Sequence, residues 1–234
     1  MRKFIIANWK ENKTVDEGYT WLTAFRAVAG ETEDFSNTIL CVSAPLLFPL
    51  REKIKELKMN MALGAEDISG FDHGAFTGEV GAFQVRGLVD YVLLGHSERR
   101  KFFKETPETI QLKVKQCTKY NLRPIICLSR PEELARIIPD PKGSEIVVYE
   151  PPTAISSNGV FHPESLGAVL AAVFRIREHL PPGHPILYGG SINPENAADY
   201  LLRSEIGGVL VGAASLDSLS FAAIYKIGKR YETD

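Results

Sequence analysis

A carboxylate at the end of an apolar run raises the first question about chemistry in this sequence. The run VVY ends on Glu150, and Pro151 and Pro152 stop the strand from continuing. Apolar strand residues and prolines around a carboxylate desolvate it, which would raise the pKa of Glu150 toward that of a useful base. A lone glutamate in such a place is more often a solvated strand end, so other residues must decide.

Three further polar residues also follow apolar runs. His96 in LLGHSERR lies between a predicted strand and a predicted helical turn, where the positive end of the helix dipole disfavours imidazolium. A neutral histidine there could donate a hydrogen bond to a carbonyl group. Lys10, with Asn8 two residues before it, places a cation at the end of the first apolar run. Taken singly, the histidine is more typical of a structural residue and the lysine of a solvated one.

Two glycine-rich segments, YGGS and LVGAAS, indicate an anion site. Gly189, Gly190 and Ser191 end one apolar run, and Gly212 and Ala213 end the next. Small residues let backbone N–H groups approach an anion, and phosphate often binds at loops of this kind. A base, a neutral donor, a cation and a phosphate cradle together favour proton abstraction next to a carbonyl in a small phosphorylated substrate.

The elements that must position these residues alternate regularly along the chain. Eight short apolar runs are each followed by a segment with helical features. Strict alternation favours a parallel sheet, which is either a closed barrel or a long doubly wound sheet. Eight is the number of strands that closes, and no linker divides the chain. We therefore predict an α/β fold, one (β/α)8 barrel domain over residues 1–234, with the polar strand ends converging on one mouth.

Local signals mark where several of the helices begin. Thr14 and Glu17 form a predicted capping box before the first helix. Pro107 lies in the first turn of a later helix, where proline is tolerated. A short helix after the fifth strand is predicted to be capped by Ser129 with Glu132.

Composition excludes several classes of protein. The 234 residues are 44% hydrophobic and 24% charged, with a net charge of −2 and no basic stripe, so we expect neither nucleic acid nor membrane surface as a partner. Cys41, Cys117 and Cys127 are odd in number and far apart, which favours packing residues in a reduced cytoplasmic protein. The FIIA run is too short for a signal peptide, and no metal-ligand spacing or GxSxG serine context is present. We therefore expect no metal site.

Taken in order, the motifs resemble those of the triosephosphate isomerases. The similar segments are ANWKENKT, GAFTGEVGAF, YVLLGHSERRKFF, VVYEPPTAI, ILYGGSINPENAADYL and VLVGAASL. They run from Asn8 to Leu216, nearly the whole chain, and GHSERR with the YEP and YGGS segments is highly specific as a set.

The resemblance implies interconversion of dihydroxyacetone phosphate and D-glyceraldehyde 3-phosphate, a step of glycolysis and gluconeogenesis. Glu150 would shuttle the proton and His96 would polarise the carbonyl as a neutral donor, a pairing already known for this family. Lys10 and Asn8 would stabilise the enediolate, and the resemblance implies neither a cofactor nor a metal. The resemblance also implies supporting and phosphate-binding roles: Glu98 would be a partner of Lys10, Ser97 would border the site, and backbone groups of Ser156, Gly189, Gly190, Ser191, Gly212 and Ala213 would hold the phosphate.

The resemblance further implies a homodimer, with a tetramer possible. In the family a loop of the type GAFTGE inserts into the partner beside that partner's Asn and Lys, and Thr77 is the matching tip residue. Without the resemblance, GAFTG reads as a Gly-rich surface turn.

The sequence departs from the family in the lid that follows the catalytic glutamate. Positions 150–159 read EPPTAISSNG where the family has EPVWAIGTGK, so Thr153 replaces a hinge tryptophan and Ser156 a phosphate-contacting glycine. Asn158 and Gly159 replace the final Gly-Lys pair. Ser129-Arg130 also stands where the family has Gly-Glu, whose glutamate supports that tryptophan, so both members of one contact have changed. We predict a working lid with altered closure.

Two other functions remain open at this stage. One is a different phosphosugar isomerase or aldolase on the same barrel, which would turn over other phosphosugars. The other is a non-catalytic barrel that binds a sugar phosphate, with the altered lid in its favour. Retention of the base, the donor and the cation speaks against the second.

Overall fold

Eight parallel strands form a closed barrel, as the alternation of apolar runs predicts. The computed structural model describes residues 2–138, 141, 143–154 and 164–230. The strands β1 to β8 are Phe4–Asn8, Thr38–Val42, Ala62–Ala65, Tyr91–Leu94, Arg123–Leu128, Ile146–Tyr149, Ile186–Tyr188 and Gly208–Val211. Each pairs with the next, and β1 pairs with β8 in the register Phe4 to Gly208, which closes the cylinder. The closed barrel, and not the doubly wound sheet, is confirmed.

Helices cover the outside of the barrel. Helices α1 to α9 are Val15–Ala29, Ala44–Glu56, Ala82–Val85, Ser97–Phe102, Pro107–Lys119, Leu134–Ile137, Leu166–Arg177, Ala197–Leu201 and Ser218–Arg230. Three 3₁₀ turns, Pro131–Glu133, Pro152–Ala154 and Ala213–Ser215, follow strands β5, β6 and β8. The connections after the strands thus carry the short, irregular elements that border the mouth.

The predicted helix starts are confirmed at α1 and α5 and wrong before α6. The Thr14 side chain accepts from the Glu17 N–H while the Glu17 carboxylate accepts from the Thr14 N–H. Helix α5 begins at Pro107 as predicted. After β5, however, it is Glu133, not Glu132, whose carboxylate turns back to accept from the Ser129 N–H, at 3.0 Å. The 3₁₀ turn shifts the spacing, so an α-helical capping rule selects the wrong glutamate.

The core has two layers because successive strand residues face opposite ways. Inside the barrel lies a layer that includes Ile6, Cys41, Cys127, Val148 and Leu210, all at most 3% exposed. The larger layer packs between the strands and the helices. Burial on both faces explains why the strands read as continuous apolar runs. It also leaves the strand ends as the places where polar side chains can emerge.

The three cysteines are buried free thiols, in accordance with the packing role predicted for them. None of the helices in the described residues is long and apolar enough to cross a membrane.

Candidate active site

The predicted proton-transfer residues meet in one cavity at the carboxyl ends of the strands. This cavity is small and open to the mouth of the barrel. Its lining comes from strand ends on five different strands: Asn8, Lys10, His96, Glu150, Gly189, Gly190, Leu210, Gly212 and Ala213. Residues far apart in sequence therefore share one small space, as the barrel predicts.

Glu150 is 2% exposed and holds hydrogen bonds on both carboxylate oxygens. Its Oε1 lies 2.9 Å from His96 Nε2, and its Oε2 accepts from the Ser97 N–H at 2.8 Å. Burial acts to raise the pKa of this carboxyl, but His96, the Ser97 N–H and Lys10 together outweigh it and lower the pKa. The sequence-based expectation of a raised pKa was therefore wrong for this arrangement, because it considered desolvation without the hydrogen bonds.

His96 is the residue that precedes the six-residue helix α4. Its Nδ1 accepts a hydrogen bond from the Glu98 N–H at 3.3 Å, so the geometry fits a ring whose proton is on Nε2, facing Glu150. Burial acts to lower the pKa of His96, but the neighbouring Glu150 carboxylate more than offsets this and raises it. The raised pKa of His96, which favours the imidazolium form, thus depends on the contact with Glu150.

Lys10 reaches the cavity from a strained backbone position. Its φ of 57° lies in the left-handed region, which costs a residue other than glycine on the order of 1 kcal/mol. The Lys10 N–H donates to Asn8 Oδ1 at 3.1 Å, and Lys10 Nζ lies 2.7 Å from Glu98 Oε1. A Cβ placed on Gly212 would lie 3.7 Å from Lys10 Nζ, so the ammonium lies beside the glycine loop.

The glycine segments form the far wall of the cavity. An added Cβ on Gly190 would lie 1.9 Å from Tyr188 Oη, so only glycine fits there. Among the described residues, no group accepts from the N–H of Gly190, Gly212 or Ala213. The Gly189 N–H instead donates to Tyr149 O at 2.9 Å as part of the sheet. Three of the four predicted glycine-loop N–H groups are therefore available to an anion.

Ser191 is placed differently from its prediction as a phosphate ligand. It is 3% exposed, and both its N–H and its Oγ donate to Ala154 O at 2.8 Å. Ala154 ends the 3₁₀ turn that follows Glu150, so Ser191 holds the front of the predicted lid. Its N–H becomes available to a phosphate only if that contact opens. Ser156, Asn158 and Gly159 lie outside the described residues, and the lid prediction stays a prediction.

The remaining predicted residues border the site. Ser97 contributes its backbone N–H to Glu150, while its buried Oγ has no hydrogen-bond partner in the described part of the chain. Glu98 lines an adjoining groove together with Lys10, Glu66, Phe102 and other residues. The exposed Thr77 lies on the loop before α3.

Sequence reasoning missed Glu66 and Leu210. Glu66 directly follows β3, a position that a strand-end rule reaches, whereas Leu210 lies within β8 and lines the cavity. Glu66 falls within MALGAED, a segment that reads as one strand, whereas β3 ends at Ala65 and leaves Glu66 beyond the strand end.

Comparison with known proteins agrees with this geometry. The sequence profile of the family described as triosephosphate isomerase matches residues 3–228. A triosephosphate isomerase of Alkaliphilus metalliredigens is 36% identical, over 96% of this chain and 99% of that one. The Aquifex aeolicus enzyme of the same name is 33% identical, over 96% and 98%.

A solved structure of the same family has a similar fold. The crystal structure of triosephosphate isomerase from Bartonella henselae superposes with a TM-score of 0.80 at 27% identity, covering 98% of this chain and all of that one. Because the family profile and the relatives each extend over nearly the whole chain, this chain belongs to the triosephosphate isomerase family.

Proposed function

We propose that this protein interconverts dihydroxyacetone phosphate and D-glyceraldehyde 3-phosphate. The observation that carries the proposal is the convergence of a buried carboxylate, an imidazole and an ammonium on one cavity with free backbone N–H groups. This is the set that proton transfer next to a carbonyl in a phosphorylated triose requires. Family membership narrows the choice among phosphosugar reactions to this one.

The reaction begins with an exchange of hydrogen-bond partners at His96. Nε2 now faces Glu150 Oε1, and a substrate carbonyl oxygen would take the place of that carboxylate oxygen. Glu150 is then free to take a proton from the carbon next to the carbonyl, forming an enediolate. The former carbonyl oxygen gains a proton from His96 Nε2–H and the neighbouring hydroxyl gives its proton back to that nitrogen, while Glu150 returns its proton to the neighbouring carbon, which yields the isomeric product.

The same exchange of partners changes the pKa of both Glu150 and His96. Burial raises the pKa of Glu150, and the His96 contact is what holds it down. Burial lowers the pKa of His96, and the Glu150 contact is what holds it up. Separating the pair therefore makes Glu150 a stronger base and favours a neutral His96, the state in which Nε2–H donates to the developing oxyanion.

Lys10 and Asn8 would stabilise the enediolate, and the glycine loops would hold the phosphate. The Lys10 ammonium lies between Glu98 and the loop at Gly212, so it can face an anionic substrate on the loop side. The N–H groups of Gly190, Gly212 and Ala213 supply hydrogen bonds to phosphate oxygens without a side chain in the way. Ser191 joins them when Ala154 moves away.

A homodimer is part of the proposal. The exposed rings of Phe71 and Phe76 stack 4.6 Å apart on the loop that carries Thr77. Phe102 and Phe103 are 64% and 66% exposed and line the groove beside Lys10. Apolar surface on both features favours insertion of the loop of one copy into the groove of another. Sedimentation of the wild type as an active monomer at assay concentrations would exclude the dimer.

We also propose a cytoplasmic location for the enzyme. Its three described cysteines are free thiols, which accords with a reducing compartment.

A coupled assay on glyceraldehyde 3-phosphate tests the function, with Glu150→Gln as the variant. Glutamine keeps the shape of the side chain but cannot take a proton, so kcat should fall about 10²- to 10⁴-fold. Glu145→Gln is a matched control, because Glu145 is equally a buried carboxyl and flanks the other end of β6. Its kcat should stay within twofold of the wild type.

The assay also separates the alternatives. Turnover of other phosphosugars with little activity on triose phosphates would indicate the other isomerase or aldolase. A low rate that Glu150→Gln does not reduce further would remove the isomerase assignment and leave a binding barrel.

A further inference from the structure

Arg100 is a largely buried cation behind the cavity, and the proposed reaction does not use it. It lies on α4, the helix that His96 precedes, and its side chain is 13% exposed. The residues that line the cavity do not include Arg100, and neither do those of the groove beside Phe102 and Phe103. Its contacts therefore lie within one chain and do not depend on the loop of a partner.

The guanidinium of Arg100 joins the carboxyl ends of β4 and β5. Its Nε donates to Gly95 O at 2.7 Å, and its Nη2 donates to Cys127 O at 2.8 Å. The pairing of these two strands ends one residue earlier on each, at Leu94 and Ile126. The guanidinium thus takes the place of the next backbone hydrogen bonds, and two carbonyl oxygens at strand ends gain a charged donor.

The turn that carries His96 is held by Arg100 at two successive carbonyls. The Arg100 N–H donates to His96 O at 3.2 Å, while its Nε holds Gly95 O. Gly95 has a φ of 67°, and a Cβ placed on it would lie 2.8 Å from Ile110 Cδ1 and 3.2 Å from Arg100 Nη2. The guanidinium therefore packs closely against the turn from which the His96 side chain leaves β4.

The second carbonyl links Arg100 to the strand beside Glu150. Strand β5 continues from Cys127 to Leu128, whose carbonyl accepts from the Glu150 N–H at 2.8 Å. The end of β5 thus lies between Arg100 on one side and Glu150 on the other. His96 Nε2 and Glu150 Oε1, which are 2.9 Å apart, belong to segments that Arg100 and β5 hold together.

Glu133 supplies the third acceptor for the guanidinium. Its Oε2 lies 3.4 Å from Arg100 Nη1 and also accepts from the Ser129 N–H at 3.0 Å. Its side chain is 12% exposed, so salt screens this pair less than it would a pair on the surface. Each nitrogen of the guanidinium therefore has an acceptor, on β4, on β5 or after β5, and this arrangement fits the rigid planar fork of an arginine.

We propose that Arg100 is a positioning residue that sets the separation between His96 and Glu150 by joining the ends of β4 and β5. This role rests on the proposed function, because the reaction needs both groups in register with one substrate. A misplacement of about 1 Å can lower a rate on the order of 10²-fold. Binding of the substrate should depend less on Arg100, since the glycines proposed to hold the phosphate follow β7 and β8.

The experiment compares wild type with Arg100→Met and Arg100→Lys. Methionine has no donor, and lysine keeps the charge beside Glu133 but lacks the planar fork that reaches two carbonyls. In both variants, kcat on glyceraldehyde 3-phosphate should fall about tenfold to a hundredfold, while KM stays within about twofold. The pKa of His96, followed by NMR of the imidazole, should also fall, because the Glu150 contact is what raises it.

Arg123→Met is the matched control, because Arg123 joins the same two strands at the opposite end of the barrel. Its Nη1 donates to Tyr91 Oη on β4, and its guanidinium lies 4.7 Å from the centre of the Tyr91 ring. This variant should have a lower melting temperature but the kcat and the His96 pKa of the wild type. Kinetics are measured well below the melting temperature of every variant, so that unfolding does not lower kcat.

Three results would overturn the proposed role of Arg100. Wild-type kcat in Arg100→Lys would mean that only the charge beside Glu133 matters. An equal loss of kcat in Arg123→Met would mean that weaker pairing of β4 and β5 anywhere displaces the reacting groups. An unchanged pKa of His96 in both Arg100 variants would mean that Arg100 does not position the ring.

The pKa measurement also separates this role from the proposed function. Absence of isomerase activity in the wild type would remove the proposed function. A fall of the His96 pKa confined to the Arg100 variants would then still support the positioning of His96 by Arg100.

Discussion

The two ends of the barrel carry the same three kinds of ionisable side chain. At the mouth, which is the carboxyl end of the strands, these are Lys10, His96 and Glu150. At the opposite end, here called the base, they are Lys3, His184 and Glu145, each at most 6% exposed. Lys10 is only partly buried whereas Lys3 is buried, but residue type does not distinguish the two ends, and the main difference lies in what each group faces.

At the mouth the groups face one another across a cavity. His96 contacts Glu150, Lys10 contacts Glu98, and both pairs border space that a substrate can enter. Each contact joins side chains that can exchange partners without breaking the sheet. The mouth is thus arranged for groups whose partners change during a reaction.

At the base the lysine faces the backbone. Lys3 Nζ donates to Arg203 O at 2.5 Å and to Ile206 O at 2.6 Å, which joins the start of β1 to the turn before β8. Glu145 lies near His184, and its charge and its backbone both act to raise the pKa of that histidine against the effect of burial. The Lys3 contacts secure the barrel closure, which accords with the general division between a catalytic and a stabilising end.

Substitutions of the two lysines should show the largest difference between the mouth and the base in their effects on activity and stability. Lys10→Met should lower kcat/KM about 10²- to 10³-fold, since it removes a charged donor to the enediolate, while the free energy of unfolding changes little. Lys3→Met should do the reverse and destabilise by about 1–3 kcal/mol, because two carbonyl oxygens lose a charged donor. Urea unfolding and steady-state kinetics on both variants measure the two quantities. A Lys3 variant that is stable but inactive would contradict the assignment of catalysis to the mouth and of stability to the base.

The division also explains what the sequence could predict. Eight apolar runs and the direction of parallel strands place Lys10, His96 and Glu150 after their strands, at the mouth, and Lys3, His184 and Glu145 before theirs, at the base. This assignment depends only on where each residue stands relative to the end of its strand. It needed no knowledge of distances, because closure of the barrel brings all such ends together.

What the sequence could not predict depends on side-chain partners. The lowered pKa of Glu150 results mainly from its contact with His96 and, to a smaller extent, from the hydrogen bond with the Ser97 N–H, whose direction is set by the turn into α4. The use of Ser191 to hold Ala154 depends on the 3₁₀ turn after β6. Neither contact follows from a period or a motif, since each joins two loops from different strands.

The two histidines should respond to pH in opposite directions. Burial lowers the pKa of His184, so the unfolded chain binds more protons and its contribution to stability is lost as pH falls below about 6.5. The pKa of His96 is raised by Glu150 despite burial, so its contribution is present below about 6.5 and lost as pH rises through its folded pKa.

Unfolding free energies at pH 5.5 and 7.5 test this opposition. Between pH 7.5 and 5.5, His184→Asn should reduce the loss of unfolding free energy that His184 causes. His96→Asn should reduce the gain in unfolding free energy that His96 contributes over the same range. Both variants shifting the pH dependence in the same direction would mean that the Glu150 contact does not persist in solution. Activity offers a check on folding, since the His184 variant should retain near wild-type kcat at pH 7.5.

The smallest expected difference between the mouth and the base concerns substitutions of the carboxylates next to the two lysines. Glu98 Oε1 lies 2.7 Å from Lys10 Nζ, and the 36% exposure of its side chain limits the strength of the pair. Glu98→Gln should lower kcat/KM only about tenfold, because the ammonium stays but loses the group that orients it. Glu205 acts on Lys3 only through its charge, since the Lys3 ammonium already has two carbonyl acceptors. Glu205→Gln should therefore leave both kcat/KM and the melting temperature unchanged within error. A clear melting shift in Glu205→Gln would mean that the base, like the mouth, relies on pairing between side chains.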